Sequence, residues 1–438
     1  MLKVKDYRSF PEGLHKLIAL YLMVGSGIML TKDQALIAAF FVTGMDLSNM
    51  TPLDRNRLSA RCNEILNHYF KSGWVTYFEV IRQKSPGYPD RSRSAFNDPI
   101  SQLMDDERRA DFEQEGNHYD SKTVLVIRYK PLVFQNQWFK KLFYSGKQED
   151  VLSSLEQDIH YFERHLQSLV DAFTGTLTLT RMREYNHPLD QGHTVLRDEL
   201  LNYLNFTITC ENNPVNKPTD RIFTAEDYLG VRDFFPGDIL KIGKQYVVVL
   251  SLSVTSKATY PNMLDLLNHL PIEYRWITRM IHLDSNEAVA IVQKIMRAWQ
   301  QQEKNGMKQM MRMNTQETEN MNAFQMRMDA SNVTANVHSG EVGYGYCTQN
   351  IVLFSEKRSD VLENARLVIR ELSRLGHSCF VEELNAVEAW LGTIPGNVQQ
   401  NVRKQITHTE HLANMLPLTS VWTGHDHCPN PLMQESMA

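Results

Sequence analysis

The chain has 438 residues, 42% hydrophobic and 22% charged, with 46 Lys and Arg against 51 Asp and Glu for a net charge of -5. This composition excludes a disordered or fibrous chain and suits two or three domains with buried cores. Without a basic surplus, a protein that grips nucleic acid by counterion release is disfavoured, and protein or small-molecule partners are favoured. Cys62, Cys210, Cys347, Cys379 and Cys428 are scattered and odd in number, which suits a reducing compartment rather than a disulfide framework.

The first apolar stretch, "LIALYLMVGSGIML" at residues 17–30, follows Lys3, Lys5, Arg8, His15 and Lys16. Its fourteen uncharged residues fall short of the ~20 that span a bilayer as a helix. A signal peptide shares the basic-then-apolar order, but no small-x-small cleavage site follows. We expect a short amphipathic helix here, offering a docking surface, and then a hairpin whose polar tip is Thr31-Lys32-Asp33-Gln34. Thr51-Pro52 predicts a helix start, and "GWVTYFEVIRQ" a strand. Asn97-Asp98-Pro99 opens another helix, "YDSKTVLVIRYK" is a strand, and residues 148–171 carry apolar residues at helical spacing. "GTLTLTRM" reads as a strand and "DQGHTVLRDELLNYLNF" as a helix.

In the second half, "DILKIGKQYVVVLSLSV" predicts a hairpin turned at Gly243-Lys244, followed by a short helix near residues 263–269 and the strand "IEYRWITRMIHL". Asp284-Ser285 caps a long helical stretch. Beyond it, Met307, Met310, Met311, Met313, Met321, Met326 and Met328 suit either a helical hairpin packed on its own subdomain or an adaptable partner groove. "YCTQNIVLFS" is a strand, "RSDVLENARLVIRELSRLG" an amphipathic helix and "HSCFVEEL" a last strand. In "AWLGTIPGNVQQNVRKQ", Gly392 can close a helix in the left-handed conformation and Pro395-Gly396 suits a type II turn leading into a further helix. The fold class is α+β: two α/β subdomains in series, sheets with helices packed on them, plus a long Met-rich helical segment. The expected divisions are 1–185, 186–391 with the helical insertion, and a helical connector 392–438.

No stretch declares an active site. A phosphate loop needs Gly-x-x-x-x-Gly-Lys-[Ser/Thr], but Gly146-Lys147 and Gly243-Lys244 are each followed by Gln and lack the upstream glycine. "GEVGYG", residues 340–345, leads into a strand rather than a helix, so it reads as a turn. His408, His411, His425, His427 and Cys428 superficially suit zinc, but the standard Cys-x-x-Cys spacing is missing. Thr407 and Glu410 instead form a capping-box pattern for a helix whose histidines sit on its polar side. Asp105-Asp106-Glu107, beside Arg108-Arg109, fits a solvated helix face, and Glu382-Glu383 has no evident acid–base partner. We assign no catalytic, cofactor-binding or metal-binding residue.

Three stretches carry a family resemblance. They are "GIMLTKDQALIAAFFVTGMDL", "MDDERRADFEQEGNHYDSKTVLVIRYKPL" and "AWLGTIPGNVQQNVRKQITHTEHLANMLPLTSVWTGHDHCPNP". The motif residues are the Lys32-Asp33 tip, Asp106-Glu107-Arg108-Arg109, Phe112-Glu113, Gly116-Asn117-His118-Tyr119, Pro395-Gly396, Arg403, Ala413-Asn414 and Leu416-Pro417. In order and spacing they resemble the N-terminal portion of the CagE/TrbE/VirB family of type IV secretion ATPases, over essentially the whole chain. Gln34 stands where the family usually has glycine.

The resemblance implies an N-terminal module without its P-loop motor domain, the family's ATP and magnesium belonging to that motor and no cofactor to this chain. It further implies a cytoplasmic protein peripherally associated with the inner membrane, docking on channel proteins, like subunits and a coupled motor domain in conjugal transfer, with no direct nucleic-acid binding. Two alternatives are a nucleotide-binding subunit that contributes in trans to a neighbouring ATP site, and a metal-binding module.

Overall fold

The apolar β-branched and aromatic runs pair into one antiparallel sheet. In the computed structural model the described residues are 14–45, 50–85, 87–88, 96, 98–116, 118–131, 148–189, 193–218, 223–253, 260–261, 263–291, 293–294, 342–400, 402–416 and 419. The Met-rich stretch 307–328, Gly146-Lys147, His425, His427 and Cys428 lie outside them.

The first half supplies β1 (Leu20–Gly25), β2 (Ile28–Thr31), β3 (Leu36–Thr43), β4 (Trp74–Lys84), β5 (Tyr119–Tyr129) and β6 (Thr178–Arg181). Between the halves, β7 (Glu184–Pro188) and β8 (Thr194–Asp198) form a separate ribbon. The second half supplies β9 (Phe234–Phe235), β10 (Leu240–Ile242), β11 (Gln245–Ser253), β12 (Tyr274–Leu283), β13 (Tyr344–Ser355), β14 (Ser378–Val381) and β15 (Gln405–His408). The order in the large sheet is β1-β2-β3-β5-β4-β12-β13-β11-β10-β9, with β6 on β3, β14 on β11 and β15 on β13. The two halves therefore lie side by side in a single sheet. Their seam is the antiparallel pair β4–β12, from Tyr274 opposite Arg82 to Ile281 opposite Val75.

Helices cover both faces, which is why the central strands read as near-continuous apolar runs. One face carries α1 (Leu14–Leu17), α5 (Glu199–Thr209), α6 (Ala225–Tyr228) and α8 (Ala386–Thr393) over a core that crosses the seam. On the other face α2 (Pro52–Tyr69), α4 (Gln148–Phe173) and α9 (Thr409–Met415) pack on the first half. The second half is covered there by α7 (Arg358–Arg374) and a 3-10 turn, Asp265–His269. Each wholly buried Leu, Ile or Phe in these layers contributes about 1.5–3 kcal/mol. The α+β class and most elements match the sequence reading. Thr51 caps α2 by accepting from the Asp54 N–H, and Asp98 caps α3 (Pro99–Glu115) by accepting from the Ser101 N–H.

Four local expectations are corrected. The 17–30 stretch is not an exposed amphipathic helix: α1 has four residues, the rest is the β1–β2 hairpin, and Leu14, Ile18 and Leu20 lie in the core. Burial of these residues outweighs helix periodicity, while residues 21–25 of β1 stay partly exposed. Residues 194–198 are strand before α5 begins, because Asp198 breaks the run: its carboxylate accepts from the Leu200 and Leu201 N–H groups as the N-cap. β14 is not the last strand, since β15 adds to β13. The cap of α9 is His408, whose Nδ1 accepts from the His411 N–H, and Thr407 belongs to β15. Gln34, in the position where a glycine is usual, adopts φ 70°, the left-handed backbone that a glycine would reach without strain.

The seam holds a buried charge network. On β12, Arg275 and Arg279 are four residues apart and project from one face. Arg275 Nε donates to Glu79 Oε1 of β4 at 2.5 Å, and Tyr203 on α5 donates its hydroxyl to Glu79 Oε2 at 2.5 Å. All three side chains are buried. Burial opposes the charge on Arg275, but the Glu79 carboxylate more than offsets it and the pKa lies above the usual arginine value.

Arg275→Met leaves Glu79 as a lone buried carboxylate and is expected to cost about 3–5 kcal/mol in a guanidinium melt, whereas Arg275→Met with Glu79→Leu recovers much of that loss. His282, buried with Nε2 3.0 Å from Thr76 Oγ1, has its pKa pushed down by burial to about 3. The unfolded chain then binds the extra proton, so native stability holds above pH ~6.5 and falls progressively below it. His282→Gln should flatten that decline in melts followed from about pH 7 to about pH 4.

Candidate functional site

The most tightly determined constellation surrounds the turn after α8. Trp390 is buried and stacks on Phe234 with ring centroids 5.5 Å apart, which sets the helix on the sheet. The Asn397 N–H donates to Ile394 O at 3.2 Å, closing a turn with Gly396 at φ 102°. The type II expectation for Pro395-Gly396 therefore holds, because its third position requires positive φ. Gly392 acts differently from expectation. It lies inside α8 without positive φ, and a Cβ there would meet Gln400 O at 2.5 Å. Its missing side chain serves close backbone approach, not helix termination. Among the described residues 394–400 and 402–404 no helix follows directly, and β15 comes next.

Arg279 holds this segment from below. Its Nη1 donates to Gly392 O at 3.0 Å and Asn397 O at 3.1 Å, and its Nη2 donates to Gln400 O at 3.0 Å. Burial lowers its pKa. Arg275 adds bonds to Thr207 O at 2.8 Å and Thr393 O at 3.4 Å, so two guanidinium groups satisfy helix-end and turn carbonyls that water cannot reach. From above, Asn397 Oδ1 accepts from the Ala19 N–H at 2.8 Å and its Nδ2 donates to Leu17 O at 3.1 Å. The two ends of the described chain are thereby pinned to one another.

The motif residues recognised in the sequence fall at several places in the fold, and only Pro395-Gly396 belong to the clamp itself. Arg403 bonds the buried Glu382 at 2.8 Å and lies over the Phe380 ring. Asn414 accepts from Ser59 of α2 at 2.6 Å. Asp33 pairs with Arg128 and, at 3.3 Å, with Lys130; burial opposes its ionisation, but these cations and Thr31 hold its pKa below the usual value. Phe112 stacks on His118 at 3.5 Å, anchoring the end of α3. Asp105 accepts from the Tyr88 hydroxyl at 2.7 Å, so it is a structural partner rather than an acid–base group.

Arg275, Arg279, Glu79 and Tyr203 escaped the sequence reading. The available signal was charge at same-face positions of otherwise apolar strands, "YRWITRM" and "YFEVI".

Gly243-Lys244 forms the tight turn between β10 and β11, and a Cβ at Gly243 would meet Arg232 Cδ at 3.1 Å and Glu211 Oε1 at 3.2 Å. Glu211 beside that turn is paired with Arg232, Nε to Oε2 at 2.9 Å. Among the described residues no group of three or more His, Cys, Asp or Glu is placed to hold a metal. His408 and His411 are partly buried and engaged in the helix cap, not turned outward on a polar face, and burial pushes His411 down to about 4. The surface also carries clefts. One, of about 670 Å³, lies along α2 and the end of α4; another, of about 470 Å³, is lined by Glu211, Glu273, Glu356, Lys357 and Asp360. The arrangement can hold segments in fixed relation and present surfaces.

Gly392→Ala forces a Cβ against the Gln400 carbonyl and is expected to cost about 1–3 kcal/mol by urea denaturation, with the turn displaced from Arg279.

Comparison with known proteins bears on what is being held. The family model for the type IV secretion system ATPase VirB4/TrbE N-terminal domain matches residues 27–136. The model for the CagE, TrbE, VirB family, component of type IV transporter system, matches 189–403. A conjugal transfer protein TrbE from Rhizobium radiobacter is 27% identical over 432 residues, covering 98% of this chain and 52% of that protein. In Sinorhizobium fredii (strain NBRC 101917 / NGR234), a probable conjugal transfer protein TrbE is divided between two chains, and each is similar to this one. The first piece is 33% identical over 131 residues, 30% of this chain and 87% of its own length. The second is 30% identical over 271 residues, 62% of this chain and 40% of its own length. The chain thus spans about half the length of the Rhizobium relative. With the N-terminal and central family regions matched in order, the chain belongs to the CagE/TrbE/VirB family of type IV secretion system components.

Proposed function

We propose that this chain is the N-terminal docking and assembly module of a conjugal-transfer secretion ATPase, working peripherally at the cytoplasmic side of the inner membrane. The observation that carries this reading is the clamp. The segment from Gly392 to Gln400 is bound by Arg279 to the sheet and by Asn397 to the N-terminal strands. Beyond it, Arg403 and α9 continue the attachment. In the family resemblance this is the segment that leads toward the motor. A motor joined there would meet a rigid body, so force or position could pass between it and whatever the module holds. Nucleotide chemistry, with ATP and magnesium, belongs in this reading to the coupled motor domain.

The partners are channel proteins of the inner membrane, like subunits and the motor. Among the described residues no helix is long and apolar enough to cross a membrane, so attachment through a partner is the simpler route. The divisions at 1–185, 186–391 and 392–438 serve this reading as working boundaries, with the β4–β12 seam joining the first two.

The purified chain is expected to copurify with one of the cognate channel components when each is expressed singly with an affinity tag, and to release no phosphate from ATP·Mg. Magnesium-dependent hydrolysis by the chain alone, or failure to retain any channel component, would overturn the reading.

A further inference from the structure

Strand order in the large sheet sorts by position in the sequence. β1-β2-β3-β5-β4, all from residues 20–129, stand together, and β12-β13-β11-β10-β9 continue from the seam. Among the named strands, these early residues meet the later ones along two pairings. One is β4–β12; the other is β3–β6, from Phe40 opposite Arg181 to Thr43 opposite Thr178. Between β5 and α4 the chain passes once from the early part to the later one.

Everything else that holds the two parts together is buried side-chain contact. Phe162 and Leu166 of α4 and Leu412 of α9 complete the core built on Phe40, Leu66 and Leu125. Polar pairs cross the same boundary. Glu79 is held by Arg275 and Tyr203, and the Gly27 N–H donates to Asp198 Oδ2 at 2.8 Å. Ser59 Oγ donates to Asn414 Oδ1 at 2.6 Å, and Thr409 Oγ1 to Asn63 Oδ1 at 2.6 Å. Separated, each part would bare an apolar face, one with an unpaired Glu79 carboxylate and the other with an unpaired Arg275 guanidinium. A boundary of this kind has the character of an obligate interface between chains, which resembles a domain core cut in half.

We propose that residues 1–140 and residues 141–438 assemble as separate chains, each the binding partner of the other, with the peptide connection between β5 and α4 dispensable. What a tether adds to two surfaces that already match is effective concentration. The cut falls between the two matched family regions, 27–136 and 189–403, and a Sinorhizobium relative is itself divided between two chains. Neither part holds its fold alone, so folding and association are one event. The N-terminal part can then be supplied in trans, which is independent of what the assembled module docks on.

The test keeps the full sequence present as two chains expressed together, with an affinity tag on residues 1–140. The tag is expected to recover residues 141–438 in equal amount. The pair should unfold in one transition by circular dichroism, with a midpoint that rises with protein concentration. Arg275→Met in the C-terminal part leaves Glu79 without its cation and should lower recovery about tenfold, and adding Glu79→Leu in the N-terminal part should restore much of it. That rescue distinguishes a broken interface from a part that has lost its fold. Recovery of the tagged part alone from an extract in which both are soluble would overturn the proposal. So would insolubility of both when expressed together, or recovery unchanged by Arg275→Met. Channel copurification is scored on the uncut chain, so failure of two-chain assembly and failure of the docking role are distinguishable results.

Discussion

The ion pair between Glu79 and Arg275 is the constraint on which the rest of this structure hangs. It lies in the β4–β12 pairing that joins the two halves of the sheet. Removing two charges from water is costly, and their attraction offsets that cost only when geometry and additional hydrogen bonds are good. Here Tyr203 supplies a donor to the carboxylate, and the Thr207 and Thr393 carbonyls take up further guanidinium donors. Apolar residues in these places would pack equally well against several registers. The charged set is satisfied in one, so it specifies how strands, α5 and α8 meet.

Arg279 extends the same logic one helical end further. A helix terminus and a turn leave carbonyls without partners, and in a buried place each such group costs of the order of 1–3 kcal/mol. One planar guanidinium serves three of them at once, from Gly392, Asn397 and Gln400. That requires the backbone to approach closely, which in turn requires a residue without Cβ at Gly392. The clamp, the glycine and the type II turn are therefore a single device. It holds the segment that leaves α8 against the sheet.

Much of the architecture was legible because local patterns agreed with the tertiary result. Thr51-Pro52 and Asp98-Pro99 start helices through a side-chain acceptor and a residue lacking an N–H, and the β10–β11 hairpin turns where Gly243 permits positive φ. The failures share a cause. Residues 17–30 are apolar on every side because one stretch is core and another is strand, so periodicity could not separate helix from hairpin. His408 took the cap expected of Thr407 because pairing with Tyr344 placed it at the strand's end.

By itself the sequence determined the α+β class, most elements, the family, and the presence of a turn at Pro395-Gly396, since these depend on local stereochemistry and on motif order along the chain. Only the tertiary structure decided that Arg275, Arg279 and Glu79 share one buried space, that Gly392 serves contact rather than termination, and that Asn397 reaches Leu17 and Ala19. Those relations join residues far apart in sequence. Their energies come from desolvation and carbonyl satisfaction, which exist only once the sheet has closed around them.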